Sequence, residues 1–303
     1  MDRATLTREQ ASAVSQVIRA QLTYLFKLKE RMRAAGFPHG DTLLAKVDAA
    51  YDVTHRLSVD LHYLSCGMGL PMAHGNDPPI EEGDDMCGRF VRAKAAESYG
   101  GFFGVPDVPK LFASYNVAPT QEVLAIRVQD GAKKAVALRW GLIPAWAKDK
   151  KTLLINSRAE TIAEKPAYRV AFKKRRCLIV ADAYYEWKKL SPKEKQPFLF
   201  RLKNGDPFGF AGIWETWEVG GRTIESCAIV TTEANELSRP VHDRMPVVLR
   251  GADANAWLDP GTEDAKALAS LLHPLPAEVM VAFPVTPRVG KVSENDAGLI
   301  EPA

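Results

Sequence analysis

Apolar residues over the first 66 positions recur at steps of three and four. Val14, Ile18, Leu22, Leu25, Leu28 and Met32 form one stripe, which Gly36, Pro38 and Gly40 interrupt. Leu44, Val47, Tyr51, Thr54, Leu57, Leu61 and Leu64 form a second, closed by Gly67 and Gly69. A period near 3.6 puts each stripe on one side of a helix, so residues 1–66 are predicted to form a helical hairpin. A unit of that size reads as a docking or self-association module. Residues 67–85 (GMGLPMAHGNDPPIEEGDD) are rich in Gly, Pro and acid, a linker composition that marks a domain boundary. Beyond it the pattern changes. Short β-prone runs such as VLAIRV, AVALRW, RCLIVA, FLFRL, CAIVTT and PVVLR are separated by turn residues. Helical patterns appear around residues 166–172 and from 252 to 272. Residues 86–303 are therefore expected to be one α+β domain, with a curved, mainly antiparallel sheet and flanking helices.

Composition narrows the classes without choosing among them. The chain has 303 residues, 46% hydrophobic and 25% charged, which suits a globular protein with one large domain and one small one. No apolar run approaches the ~20 residues needed to span a bilayer. The polar start MDRATLTREQ lacks the layout of a signal peptide, so a cytosolic protein is expected, nucleoid-associated if bacterial. Cys66, Cys87, Cys177 and Cys227 are scattered, without a C-x-x-C pair or a His cluster. That argues against zinc and against a disulfide framework, leaves a single reactive thiol as the functional option, and gives no sign of a cofactor. Net charge is +3, divided unevenly: residues 1–85 hold 9 Lys/Arg against 12 Asp/Glu, and the rest 31 against 25. A basic excess of 6 in the larger part suits a polyanionic partner.

Four short segments carry candidate chemistry. In Met86-Cys87-Gly88-Arg89-Phe90 a cysteine directly follows a methionine and a flexible acidic linker. Were Cys87 the N-terminal residue, it would carry an α-amine and a thiol on adjacent carbons. An α-amine with a pKa of about 7.7–8.0 is partly neutral near pH 7 and attacks aldehydes to give a Schiff base. The thiol then closes a thiazolidine ring, which an internal cysteine cannot form. In Asn156-Ser157-Arg158-Ala159-Glu160, the Asn and Arg at i and i+2 of an extended segment point the same way, toward a substrate oxygen and a phosphate. In Asp182-Ala183-Tyr184-Tyr185-Glu186-Trp187, a Glu closing a buried strand among aromatics would be a general acid with a desolvated carboxyl. His242-Asp243-Arg244-Met245-Pro246 supplies an imidazole suited to proton transfer. Trp140, Trp146 and Trp187 beside basic residues could stack on unpaired bases, and Lys173-Lys174-Arg175-Arg176 reads equally as a phosphate track or a solvated helix end. A turn Asn, a surface carboxylate, a bystander loop His and core Trp residues are the ordinary alternatives for each segment taken alone.

Their order says more than each segment does. Cys87-Gly88-Arg89-Phe90, Tyr115-Asn116-Val117-Ala118-Pro119-Thr120, Trp140-Gly141-Leu142-Ile143-Pro144, Asn156-Ser157-Arg158-Ala159-Glu160-Thr161, Tyr185-Glu186-Trp187 and His242-Asp243-Arg244-Met245-Pro246 follow the sequence and spacing of the SRAP (SOS response-associated peptidase) family. Val285-Thr286 and Asn295-Asp296 resemble that family's C-terminal segment, so the resemblance spans residues 87–303. It implies an SRAP-like fold and an abasic-site processing protein that binds lesions in single-stranded DNA and forms a covalent thiazolidine with the ring-opened sugar. Carried over by motif, Cys87 is the nucleophile, Asn156 positions the sugar and the amine, Glu186 shuttles protons, and His242 assists ring opening and reversal. The resemblance also implies that Arg89, Arg158 and Arg244 hold phosphates and that Trp140 and Trp187 line the DNA cleft. Val180, Ala183 and Gly290 depart from the family's usual Pro, Gly and Asn.

Family members usually start Met-Cys-Gly-Arg, whereas here that start falls at Met86. Three explanations follow: translation from Met86, proteolysis after Met86 with the autopeptidase activity the family name proposes, or a retained extension and non-covalent binding. Two other readings of the domain remain open. One is a Cys–His peptidase or hydrolase using Cys87 and His242, oriented by Asn156 or Glu186. The other is a single-stranded DNA binding module in which Cys87 is merely buried.

Overall fold

The computed structural model describes residues 7–37, 41–65, 88–148, 152–192, 194–219 and 221–303, with only some side chains in the first two helices. The chain divides into two compact units, Met1–Ile80 and Glu81–Ala303. The expected linker at 67–85, together with Cys66, Met86 and Cys87, lies outside the described residues.

The first unit is two helices, α1 (Arg8–Ala34) and α2 (Thr42–Ser65), which pack on each other. Thr7 and Gln10 cap α1 reciprocally, each side chain accepting the other's backbone N–H. Asp41 caps α2, its Oδ1 accepting from Leu43 N at 2.8 Å and Leu44 N at 3.0 Å. Met32, Leu44 and Val47 are buried between the helices, with Leu28 against them. The stripes predicted from periodicity are not buried throughout: Val14 is 40% exposed and Leu57 43%.

The second unit has eleven further elements in its first two-thirds: β1 (Arg89–Arg92), α3 (Ala96–Phe103), β2 (Ser114–Val117), β3 (Glu122–Gln129), β4 (Ala132–Trp140), β5 (Asn156–Arg158), α4 (Arg169–Lys174), β6 (Arg176–Ala181), β7 (Ala183–Ser191), β8 (Glu194–Leu202) and β9 (Phe208–Val219). Then come β10 (Arg222–Glu233), β11 (Arg244–Pro246), β12 (Val248–Leu249), α5 (Gly251–Leu258), α6 (Ala265–Ala269) and β13 (Met280–Pro284). The expected α+β class with mainly antiparallel pairing is borne out. One sheet runs β13-β8-β7-β1-β2. In the other, β10-β4-β3-β6-β9 closes on itself because β9 also pairs with β10, and β11, β12 and β5 extend it. Among the described residues, only the pairings of β10 with β4 and β5 are parallel.

Strict alternation explains how strands of the closed sheet serve two cores. Cys177, Ile179, Val123, Ala125 and Phe210 join Phe90, Tyr184 and Phe200 of the other sheet. Their neighbours Leu178, Val180, Leu124, Ile126 and Ala211 join Phe172 of α4 and Trp257 of α5. A third cluster, including Val91, Tyr185 and Leu199, lies under the C-terminal residues Val285, Val289 and Leu299. Buried Asn116 secures that covering segment: its Nδ2 lies 3.1 Å from Val289 O and 2.9 Å from both Lys291 O and Glu294 O.

The helix predicted for 252–272 is two helices. Asp259-Pro260-Gly261 breaks it: Asp259 precedes a proline and takes an extended conformation, and its Oδ1 accepts from Gly261 N. The basic run 173–176 is also divided. Arg175 bonds Glu215 at 2.6 Å, and Arg176 is buried over the Trp257 ring. The Arg176 guanidinium donates to carbonyls of Trp257, Phe172, Lys173, Asp259 and Thr262, closing the ends of α4 and α5 onto β6. Replacing Arg176 with Leu should destabilise the domain by about 3 kcal/mol, because buried carbonyls lose their donor. Urea unfolding of the variant checks this, and an unchanged midpoint would refute it.

Candidate functional site

The first described residues of the second unit enter β1 beside β7, with Arg89 paired to Tyr185 and Phe90 to Tyr184. By the same antiparallel register, the next position toward the N-terminus falls beside Glu186. Glu186 is 1% exposed and sits within β7, opposite Phe198 of β8, not at the end of a strand as predicted. The run β6 to β7 bends at Asp182 instead. There Oδ2 accepts from Ala93 N at 2.7 Å, Lys94 N at 3.2 Å and Tyr99 Oη at 2.7 Å. Alternation along β7 sets Tyr184 and Glu186 on one face and Tyr185 and Trp187 on the other. Trp187 is half-buried against the C-terminal cluster, so it does not share a face with Glu186.

Asn156 and Arg158 flank buried Ser157 in β5, which runs parallel to β10 with Ile229 opposite Asn156 and Thr231 opposite Arg158. Three donors hold this short strand and the residue that precedes it. Trp140 Nε1 donates to Ile155 O at 3.0 Å, Tyr168 Oη to Asn156 O at 3.0 Å, and Thr231 Oγ1 to Ser157 O at 3.3 Å. Burial pushes the Tyr168 hydroxyl up to about 12, which keeps it a donor. Trp140 is 0% exposed and packs at 5.1 Å from Phe90. It braces β5 from the core and does not line a cleft, because the strand's alternation turns it inward. Gly141 is obligatory beside it: at φ 118, an added Cβ would meet Leu153 Cδ1 at 2.0 Å. Trp146, five residues on, is 66% exposed.

The turn after β10 brings His242 to the same end of the sheets. Ser238 O accepts from Val241 N and His242 N, and Ser238 Oγ lies 3.5 Å from Tyr184 Oη. His242 Nδ1 is 3.1 Å from Arg244 N and 3.1 Å from Asp243 Oδ1. One nitrogen cannot accept from the first and donate to the second at once. The Asp243 side chain is 88% exposed, so the backbone N–H fixes the ring, which places the imidazole proton on Nε2. Arg244 is engaged otherwise than expected. Its guanidinium holds Glu160 through two bonds, 2.6 and 2.9 Å, and donates to Thr231 O at 2.8 Å. Glu160 thus occupies the position expected for a phosphate. By contrast Arg89 donates from Nη1 to Gly88 O, and no carboxylate faces it among the described residues. Burial lowers its pKa below the ordinary guanidinium value.

A continuous set of contacts therefore links β7, the 238–242 turn, Arg244 and β5, joining the neighbourhoods of Glu186, His242, Arg158 and Asn156. Cys87 lies outside the described residues. Cys177 and Cys227 are fully buried; desolvation pushes the Cys177 thiol up to about 12 and raises Cys227 well above its ordinary value, so neither supplies a thiolate. Among the described residues no group of three His, Cys, Asp or Glu side chains forms a metal site, and no helix is long and apolar enough to cross a membrane. The sequence reading missed Tyr168, Ser238 and the pairing of Glu160 with Arg244. The last two are tied to partners 54 and 84 positions away, beyond any local pattern.

Comparison with known proteins gives concordant matches. The sequence model of the SOS response associated peptidase (SRAP) family matches residues 86–292. The abasic site processing protein YoqW of Bacillus subtilis is 43% identical over 223 residues, spanning 71% of this chain and 99% of that protein. The abasic site processing protein YedK of Escherichia coli is 33% identical over 226 residues, 72% of this chain and 100% of that one. A crystal structure of a Bacteroides thetaiotaomicron protein superposes with a TM-score of 0.65 at 27% identity, covering 72% of this chain and 100% of that chain.

The Glu160–Arg244 pair has a consequence for pH. The Arg244 bond holds the Glu160 carboxyl below its ordinary value of 4.5. A depressed folded-state value means that the pair stabilises above pH 4.5 and that this contribution is lost as pH falls through the lower value. The Glu160 side chain is 46% exposed, so screening limits the effect to about 0.5 kcal/mol. Between pH 7 and pH 3, wild type should lose that much more stability than Glu160→Gln in parallel urea titrations. Equal losses would show that the pair contributes nothing.

Proposed function

This chain belongs to the SOS response associated peptidase family, and on that premise we propose that it processes abasic sites in DNA. The finer reading is capture of the lesion in single-stranded DNA by Cys87 as an N-terminal residue. The amine attacks the aldehyde of the ring-opened sugar and water leaves, giving an imine. The thiol then adds across the C=N bond, its proton passing to nitrogen, and a thiazolidine results without any change of oxidation state.

The observation that carries this reading is Glu186, an acid buried to 1% within β7 at the register position beside the start of β1. Gly88, which follows Cys87 in the sequence, falls opposite Glu186 in that register. A desolvated carboxyl in that place can exchange the protons that imine formation and ring closure require. Asn156, held at its carbonyl by Tyr168, orients sugar and amine. His242, whose ring the Arg244 N–H orients through Nδ1, is set to hydrogen-bond the sugar through Nε2 as the ring opens. Arg89, desolvated and without a carboxylate opposite, and Arg158, exposed on β5, take the flanking phosphates. Trp146 takes the stacking role expected of Trp140.

The amine exists only if Met86 and everything before it are removed, by processing or by an internal start. Intact mass spectrometry before and after incubation with an abasic single-stranded oligonucleotide tests this. The expected species begins at Cys87 and gains the oligonucleotide mass less water. A chain that retains the extension and still gains the adduct would refute the N-terminal mechanism. On the Cys87 form, Cys87→Ser should abolish the adduct, and Glu186→Gln should slow it by about 100-fold. A rate unaffected by Glu186→Gln would remove the proton-shuttle role.

The tryptophans separate in a second test. Trp146→Ala should weaken single-stranded DNA binding by about 1–3 kcal/mol, the worth of a stacked base, without altering thermal stability. Trp140→Ala should lower stability by about 3–5 kcal/mol. Loss of stability in the first variant would place Trp146 in the fold instead of the interface.

A further inference from the structure

The outward side of α4 presents a second feature that the capture chemistry does not use. Tyr168, Ala171 and Phe172 turn inward to the core, while Arg169, Val170, Lys173 and Lys174 are exposed. Ala163, Arg169, Val170, Lys173 and Lys174 line a pocket of about 350 Å³. Its lining contains three cations and no acid. None of the three forms an ion pair among the described residues, unlike Arg175, which Glu215 neutralises. Helical bonding begins before α4 itself: Arg169 N donates to Lys165 O at 2.9 Å. Lys165, Arg169 and Lys173 therefore recur at four-residue steps, each a rise of about 6 Å along one side.

The same segment is fastened to the lesion-binding region. Tyr168 Oη donates to the carbonyl of Asn156, two residues before exposed Arg158. Exposed cations thus stand both on β5, at Arg158, and along α4, at Arg169, Lys173 and Lys174. Val170 and Ala163 place apolar surface among those charges, which suits an anion with an apolar body better than a free inorganic ion. We propose that Lys165, Arg169, Lys173 and Lys174 form a track for the phosphodiester backbone of the strand that leaves the abasic site. This rests on the reading of the chain as a DNA-lesion protein. It adds that its footprint extends beyond the lesion and that the extension is electrostatic and indifferent to sequence.

The test uses abasic single-stranded oligonucleotides of two lengths, one of about six nucleotides and one several times longer. Binding is followed by fluorescence anisotropy across a salt series, for wild type and for Arg169→Gln/Lys173→Gln/Lys174→Gln. Each lost phosphate contact lowers the slope of log affinity against log salt by ~0.7, so three lower it by ~2. The long oligonucleotide should show that drop, with affinity at low salt reduced on the order of tenfold to a hundredfold. The short one should bind, and be captured, as wild type does. Arg169→Lys/Lys173→Arg/Lys174→Arg keeps the charges and should restore the slope, which separates charge from folding. Equal slopes for wild type and the Gln variant on the long oligonucleotide overturn the track. If wild type captures no abasic DNA, yet the Gln variant lowers the slope on plain single strands, the track stands and the capture chemistry falls.

Discussion

Beyond Ile229, hydrogen bonding along β10 holds the candidate site in one frame. On one side it aligns β5, so that Asn156 and Arg158 are set by Ile229 and Thr231. Through Thr231–Glu233 it also pairs with β11, which fixes Arg244 and the end of the turn that carries His242. A three-residue strand has little stability of its own, so its geometry is inherited from β10 and from the Trp140, Tyr168 and Thr231 donors. The other half of the site, β1 and β7, belongs to a different sheet. Buried aromatic packing of Phe90, Tyr184, Phe200 and Phe210 joins the two. Precision in the site therefore depends on a core remote from any exposed reactive group.

Burial sorts the chemistry. Fully buried thiols at 177 and 227 are inert, whereas the buried acid at 186 shares its face of β7 with Tyr184. The cations divide in the same way. Arg176 works as a structural donor to five carbonyls and Arg244 as the partner of Glu160, while Arg89 is desolvated without a facing carboxylate. An arginine that already has two good acceptors gives up little for a phosphate, whereas one lacking them gains most from an anion.

Much of the fold was legible in the sequence where local pattern and burial agree. The run RCLIVA reads as a strand and is one over the same six residues, because both of its faces are buried. Asn156 and Arg158 were expected to share an extended segment, and β5 has that form. Other expectations failed where a partner distant in sequence decided the outcome. Trp140 sits beside a reactive-looking motif yet turns into the core, and Arg244 is claimed by a glutamate 84 positions earlier. The broken helix after residue 258 was a local signal under-read, since Asp259-Pro260-Gly261 stands openly in the sequence. Along the hairpin, periodicity marked a face, but two helices alone are too few to cover all of it.

Asn116 has a consequence for the order of synthesis. Its amide reaches the carbonyls of residues 289, 291 and 294, in the segment from which Val285, Val289 and Leu299 cover the sheet that contains β1 and β7. The first strand of the domain to leave the ribosome is thus completed by almost the last segment to emerge. Throughout translation of residues 88 to 294 the face carrying Val91 and Tyr185 has no native cover. A nascent chain stalled before its last few residues would hold a finished ring of strands and an open second sheet, a state for chaperones to recognise.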